Sequence, residues 1–408
     1  VVLLTEIADM TSTADVHQAE PIPEAAAAEI KGLLESGDLF RYTATSGSPA
    51  SQLEAEFADF MGAPFALAVN SCSSALFLSL KSLGLGAGEK VLIPAFTFAA
   101  VPSAIVHAGC RPVLVNVGEN YRIDVEEFED KLSSDIQAVM ISHMRGHTSD
   151  MEAIMALCDS RQIPVIEDAA HSLGSTWSGR KIGTIGRIGC FSFQSYKQIN
   201  AGEGGMLITH DSDVFARSVI MSGAYEHNWR KHAVVNGRFA IWQNRLPIYS
   251  MRMSNLSAAV VRPQLREVAR RAKEGRANHD YVAAILNASD WLDVPPPLEQ
   301  EGRAPDSIQF NLRGFDSDEA AMAFQQRANE MGVLVQVIGL SEDNARAFWN
   351  WDFIGPQNGL EQTRDILRRA CDVRLPPRLN RAELDFIANT LVQAVEAVKN
   401  PAVAACTA

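Results

Sequence analysis

The stretch FALAVNSCSSALFLSLKSLGLGAGEKVLIPAFTFAAVPSAIVHAGCRPVLVNV (residues 65–117) sets the pattern for much of the chain. Three short apolar runs, FALAV (65–69), KVLIPAF (90–96) and RPVLVNV (111–117), are separated by segments with helical spacing, 73–83 and 98–107. The runs are apolar at successive positions, the composition of strands covered on both faces. Strand–helix alternation with short links predicts an α/β fold: a mostly parallel sheet with helices packed on it.

Four more runs continue the pattern: QAVMISH (137–143), IPVIED (163–168), IGCFSF (188–193) and GGMLITH (204–210). They bring the candidate sheet to seven strands, with a helix over 151–161 that Asp150 can cap. The segment 180–205 breaks the rhythm, and 221–252 is irregular and rich in Trp, Arg, His and Asn. A long helical pattern comes next over 254–286, and then Pro295-Pro296-Pro297 punctuates the chain. The remainder reads as a smaller α+β unit, with strands at 307–312 and 333–338 and helices at 317–331 and 381–399. The expected organisation is an arm (1–20), a large domain (21–265) and a small C-terminal domain (266–408).

The chain has 408 residues, and 36 Lys+Arg against 49 Asp+Glu give a net charge of −13. Nucleic acid and anionic membrane surfaces both call for a basic face, so neither is an expected partner. No apolar run reaches spanning length, and Glu6 ends the apolar opening of VVLLTEIADM, which has no basic flank, so no leader is expected there. Cys406 is misplaced by one position for prenylation. The six cysteines form no CxxC pair, which fits reduced thiols and a cytoplasmic location.

In open α/β sheets, ligands bind beyond the carboxyl ends of the strands. After the first strand comes Asn70-Ser71-Cys72-Ser73-Ser74 at a helix start, fit to cap the helix or to hold an anion. After the second comes Phe96-Thr97-Phe98, either core or a stacking platform. The fifth ends in Asp168, a helix cap or a buried carboxylate that needs a partner. Beyond the sixth lies Lys197, and then the tight return Gly202-Glu203-Gly204-Gly205. A phosphate cradle, an aromatic face, a carboxylate and a lysine at neighbouring strand ends are the parts that hold pyridoxal 5'-phosphate (PLP).

The run EDAAHSLGSTWSGRKIGTIGRIGCFSFQSYKQINAGEGGMLIT (167–209) resembles the DegT/DnrJ/EryC1/StrS sugar-aminotransferase family, which has the fold-type-I, aspartate-aminotransferase-like PLP architecture. Asp168-Ala169-Ala170-His171, Gly189-Cys190-Phe191-Ser192-Phe193, Lys197 and Gly202-Glu203-Gly204-Gly205 carry the likeness, which covers most of 25–265 and continues weakly to about 398. It implies that Lys197 is the Schiff-base lysine and proton carrier, that Asp168 pairs with the pyridine nitrogen, and that His171 contacts the phenolic oxygen. It further implies that Ser73, Ser74 and Ser192 bind the phosphate and that Phe98 stacks on the ring. It implies a homodimer with shared active sites, in which Ser250 stands where the family has an asparagine that reaches the partner's phosphate. The implied reaction moves an amino group from glutamate or glutamine to a keto or aldehyde intermediate: a ketosugar, a cyclitol or another secondary-metabolite precursor. A dehydratase or other carbon-bond chemistry on the same scaffold is the alternative, although dehydratases of this family replace the lysine by histidine.

Two segments depart from the family pattern. The loop His143-Met144-Arg145-Gly146-His147 stands where Leu-Tyr-Gly is common, and 338–351 lacks the Tyr-Pro-x-Pro-Leu-His-like stretch of nucleotide-sugar enzymes. Both are expected near the substrate. His143 and His147 leave a strand, so zinc ligation is not expected of them. His227, Trp229 and His232 fit a pocket lining or a solvated loop, and Arg252 an anion anchor or a structural ion pair.

Overall fold

A computed structural model describes residues 15–43 and 47–400. Residues 1–14 of the expected arm, and Cys406, lie outside the described residues. All seven candidate runs form strands: β1 (Phe65–Val69), β2 (Lys90–Pro94), β3 (Arg111–Val115), β4 (Ile136–Ser142), β5 (Val165–Asp168), β6 (Ile188–Ser192) and β7 (Gly205–Thr209). They form one sheet in the order β1-β7-β6-β5-β4-β2-β3. Only β7 runs against its neighbours, so the sheet is mostly parallel as expected.

Both faces of this sheet are covered, which is why its strands read as continuous apolar runs. Leu67, Val69, Val91 and Ile93 point into one buried cluster. Ala66, Ala68, Leu92 and Val139 point into the other. The helices fall where the periodicity places them, at Cys72–Ser82, Ala100–His107 and Met151–Ser160. Asp150 caps the last of these by accepting from the Ala153 amide at 3.0 Å.

A second, four-stranded sheet contains β8 (Leu292–Asp293), β9 (Ser307–Leu312), β10 (Gln336–Val337) and β11 (Ala370–Arg374), in the order β8-β9-β11-β10. The Arg381–Lys399 helix packs beside it, and the two share a third core built around Phe310, Phe324, Ile387 and Leu391. Five cysteines, Cys72, Cys110, Cys158, Cys190 and Cys371, are unbridged. Among the described residues, no helix is long and apolar enough to cross a membrane.

Two sequence expectations are corrected. The long helix over 254–286 is broken into Asn255–Val261, a 3-10 stretch Arg262–Glu267, and Val268–Leu286. Pro263 sits at the break, where its missing N–H and its ring disrupt the helical ladder. The strand expected over 333–338 shrinks to Gln336–Val337. Side chains of the Asp318–Glu330 helix take the amides a strand would have paired: Val335 N–H donates to Asn329 Oδ1 at 2.9 Å and Val337 N–H to Gln325 Oε1 at 2.7 Å.

Candidate active site

The carboxyl ends of β1, β5 and β6 converge on a cavity of about 650 Å³, closed on its far side by residues of the second sheet. β1 leads through Asn70-Ser71 into the Cys72–Ser82 helix. Ser71 Oγ caps that helix by accepting from the Ser74 amide at 3.1 Å. The Cys72 and Ser73 amides precede the first intrahelical bond, from Ala75 N–H to Ser71 O, so the ladder leaves them free to meet an anion. Gly205 makes this placement possible: a side-chain carbon there would run into the Ser71–Cys72 peptide.

Asp168 closes β5 and is 5% exposed. It accepts from Ser142 Oγ at 2.9 Å and from the Ala170 amide at 3.1 Å, and Cys72 Sγ lies 3.9 Å away. Among the described residues no cation pairs with it. Burial therefore pushes its carboxyl above the usual range, and the two hydrogen bonds offset only part of the rise. Its neighbour Glu167 faces the other side of the sheet. It accepts from the amides of Gly183, Ile185 and Gly186 at 2.6–2.8 Å, a structural role that pins the loop entering β6.

Lys197 lies in the turn after β6, with its Nζ 2.9 Å from His171 Nε2. Burial, with Arg145 second, lowers its pKa from 10.5 to about 8, against the opposing pull of Asp306 and Asp168. Burial, and after it Lys197, holds His171 well below the usual histidine range, so its imidazole is neutral. Phe98, exposed by 48%, lines the cavity, whereas Phe96 is core.

Of the residues singled out in the sequence, Ser73, Phe98, Asp168, His171, Ser192 and Lys197 all line this one cavity. Ser74 turns away, its Oγ donating to Asn70 Oδ1 at 2.6 Å. Ser250 is exposed, off the cavity, and accepts from Arg252 Nη2 at 2.9 Å. Arg252 also donates to Gly223 O and lies over the rings of Phe40 and Tyr225, and among the described residues it forms no ion pair. His232 is buried in a network with Arg41, Tyr42 and Glu54, and Trp229 is core. His143 faces Glu167 and His147 faces Gln309.

Sequence reasoning missed Ser142, Tyr196 and Arg374. Ser142 supports Asp168, and the other two line the cavity. The two divergent segments do reach it, through Met144-Arg145 and Asp343-Asn344-Ala345-Arg346. Pairing of Phe96 with Ala347, and an Ala99 N–H to Ala345 O bond of 2.9 Å, dock the second segment on the exit of β2.

A relative in Bacillus subtilis, the spore coat polysaccharide biosynthesis protein SpsC, is 37% identical over 243 residues, 59% of this chain and 61% of that protein. The GDP-perosamine synthase of Vibrio cholerae is 32% identical over 261 residues, 64% of this chain and 67% of that enzyme. The chain thus spans about three fifths to two thirds of the length of these relatives. Among solved structures, a putative sugar aminotransferase from Streptococcus pneumoniae in its PMP form superposes with a TM-score of 0.81 at 20% identity. That match covers 93% of this chain and 98% of the other, and establishes a shared fold. The profile of the DegT/DnrJ/EryC1/StrS aminotransferase family matches residues 22–392, and the chain belongs to that family.

Proposed function

We propose that this chain is a PLP-dependent aminotransferase that moves an amino group from glutamate or glutamine to a keto or aldehyde intermediate. The observation that carries the reading is the juxtaposition in one cavity of Lys197 Nζ with a buried Asp168 that forms no salt bridge among the described residues. An unpaired buried carboxylate is costly, and a protonated pyridine nitrogen is the partner that would relieve it. The free helix-start amides beside Ser73 and Ser192 suit a phosphate, and a lysine near pKa 8 suits an aldehyde. The residues present therefore fit the cofactor.

Bound there, PLP supplies an aldehyde carbon that takes up and releases amino groups, and a ring that withdraws electrons from the carbon losing its proton. Asp168, held by Ser142 and the Ala170 amide, would keep the ring nitrogen protonated. Ser73, Ser192 and the Cys72 and Ser73 amides would hold the phosphate, with Ser74 acting through the loop it braces. Phe98 would lie against the ring. Neutral His171 would meet the phenolic oxygen and orient Lys197. Lys197 Nζ would accept and return the substrate proton. Its lowered pKa leaves a larger share of the amine unprotonated near neutral pH.

This reading includes a cofactor domain (21–265), a smaller domain (266–408), and a cytoplasmic homodimer in which Ser250 of one chain faces the other's cavity. The seven- and four-stranded sheets, spanning 65–209 and 292–374, support the division, and a small sheet pairing Glu301–Gly302 with Thr176–Trp177 bridges it. The test is to load the protein with PLP, reduce it with borohydride and map the label. The expected site is Lys197; a label elsewhere, or none, rejects the proposal. Glutamate and glutamine are then supplied separately, and the true donor should discharge the visible band and yield its oxo acid.

A further inference from the structure

The segment 194–200, which carries Lys197, belongs to no helix or strand, so no ladder satisfies its backbone groups. Before the lysine the turn closes on itself. Tyr196 N–H donates to Gln194 Oε1 at 3.0 Å, and Lys197 N–H to Gln194 O at 2.9 Å. After the lysine it closes on two side chains from far along the chain. Arg271 Nη1 donates to Gln198 O at 2.5 Å. Gln264 Oε1 accepts from the Asn200 amide at 3.0 Å, and Gln264 Nε2 donates back to Asn200 O at 2.7 Å. Arg271 Nη1 also donates to Gln264 Oε1 at 3.2 Å, which joins the two side chains into one clamp.

Both clamp residues are almost fully buried, Gln264 at 0% exposure and Arg271 at 1%. Gln264 lies in the 3-10 stretch at the Pro263 break, and its Nε2 also donates to Val260 O at 2.9 Å. A buried guanidinium is costly unless paired. The carboxylate that pairs with Arg271 is Glu20, 3.9 Å from its Nε, and the Glu20 carbonyl accepts from Asn200 Nδ2 at 2.9 Å. Val16, four residues before Glu20, is buried in the core of the second sheet. The clamp is thus backed by the N-terminal arm. On the other side, Gln198 Nε2 donates to Ala304 O at 3.0 Å and Ile199 is buried in a core of the large sheet. Of residues 197–199, only Lys197 lines the cavity.

Resting on the aminotransferase reading, we infer that Gln264 and Arg271 are positioning residues for Lys197: by fixing the peptide groups one and three residues beyond it, they aim its amine into the cavity. A lysine side chain turns about several bonds, so its amine is only as well placed as the backbone that carries it. Three of the five hydrogen bonds named for the clamp go to the turn itself.

The test uses Gln264→Met, which nearly keeps the volume and changes no charge, and Arg271→Lys, which keeps the charge and gives up the fork. Asn278→Ala is the control. Asn278 is buried further along the Val268–Leu286 helix and donates to Pro376 O and Pro377 O at 3.3 and 3.1 Å, not to the turn. The first readout needs no cofactor: the pH midpoint for acylation of Lys197, expected at about 8 in the wild type, where burial is the largest influence on the amine. A loosened turn lets water reach the amine, so Gln264→Met should raise the midpoint by about half a unit or more. Arg271→Lys should raise it less, because a lysine can still donate one bond to Gln198 O. The second readout is the circular dichroism of the visible band in PLP-loaded protein, which weakens at equal absorbance when the lysine no longer fixes one orientation. Both clamp variants should lower it. Asn278→Ala should lower the melting temperature and leave both readouts at the wild-type value. An unmoved midpoint or unmoved dichroism in a folded Gln264→Met protein would overturn the inference, as would an Asn278→Ala protein that shifts both as far. If Gln264→Met fails to fold, Arg271→Lys decides by the same criteria. A wild type that gives no visible band with PLP would reject the aminotransferase reading, and the acylation midpoints would still judge the clamp.

Discussion

The two walls of the cavity are built differently. The wall at the ends of β1, β5 and β6 holds its groups on rigid, consecutive elements: Ser73 at a helix start, Asp168 at a strand end, Lys197 in the turn after β6. The facing wall is assembled from distant pieces: Arg145 on a loop after β4, Arg346 on an irregular segment, Arg374 at the end of β11. The first wall presents a carboxylate that lacks a cation. The second presents three arginines around the buried Asp372, with Asp306 acting on Arg145 and Arg374 as well. This complementarity suggests a division of labour, in which one wall holds the cofactor and the other sorts what reaches it.

Removing the reactive group of the first wall tests that division most severely. Lys197→Ala should cut turnover by about 10³-fold or more, because on the proposed reading it removes both the attachment point and the proton carrier. It should also leave no borohydride-stable adduct. An adduct that survives the substitution would move the chemistry to another residue. Asp168→Ala ranks second, with an expected loss of about 10²-fold, the scale set by deleting one partner of a buried charged pair. A variant with near-normal turnover would show that Asp168 acts only as a structural group at the end of β5.

The first wall was largely legible in the sequence and the second was not. β5 and β6 announce themselves as apolar runs because both of their faces are buried, and Asp168 and Lys197, at or just beyond the ends of those runs, line the cavity. The glycine turn before β7 marks the close approach that Gly205 permits to the Ser71–Cys72 peptide. No local pattern links Arg145 to Asp372, which lies 227 residues away and meets it only once the two sheets pack. The divergence of 143–147 and 338–351 from the family pattern did flag segments that reach the cavity. Arg374 carried no flag, because an arginine at the end of a short strand reads as ordinary surface charge. The misread strand over 333–338 has a similar origin: its amides are taken by helix side chains, which hydrophobic spacing does not reveal.

A milder change probes how firmly the first wall is set. Ser142 Oγ supplies one of the two hydrogen bonds that hold Asp168. Ser142→Ala should weaken PLP affinity by about tenfold, the worth of a hydrogen bond to a charged group, with kcat less affected than cofactor retention. An equilibrium titration monitored by visible absorbance measures it. Unchanged affinity would mean that the Ala170 amide alone positions the carboxylate.

The smallest effect asks whether the walls are independent. Lys197 belongs to the first wall and Arg145 to the second, yet Arg145 is the largest charge effect lowering the lysine, exceeded only by burial. In the cofactor-free protein, acylation of Lys197 should rise with pH to a midpoint at about 8, since only the neutral amine reacts. Arg145→Met removes a positive charge facing the ammonium, which favours the protonated form, so the midpoint must move up toward 10.5. It also frees Asp372 from one of its two arginines, which acts in the same direction. Asp306, Asp168, Cys72 and His171 remain in place around the amine, and burial still lowers it, so the shift should be less than about one unit. Mass-spectrometric labelling across a pH series resolves a shift of that size. An unmoved midpoint would make the walls electrostatically separate. An upward shift would mean that a charge on the facing wall sets how readily Lys197 takes up a proton.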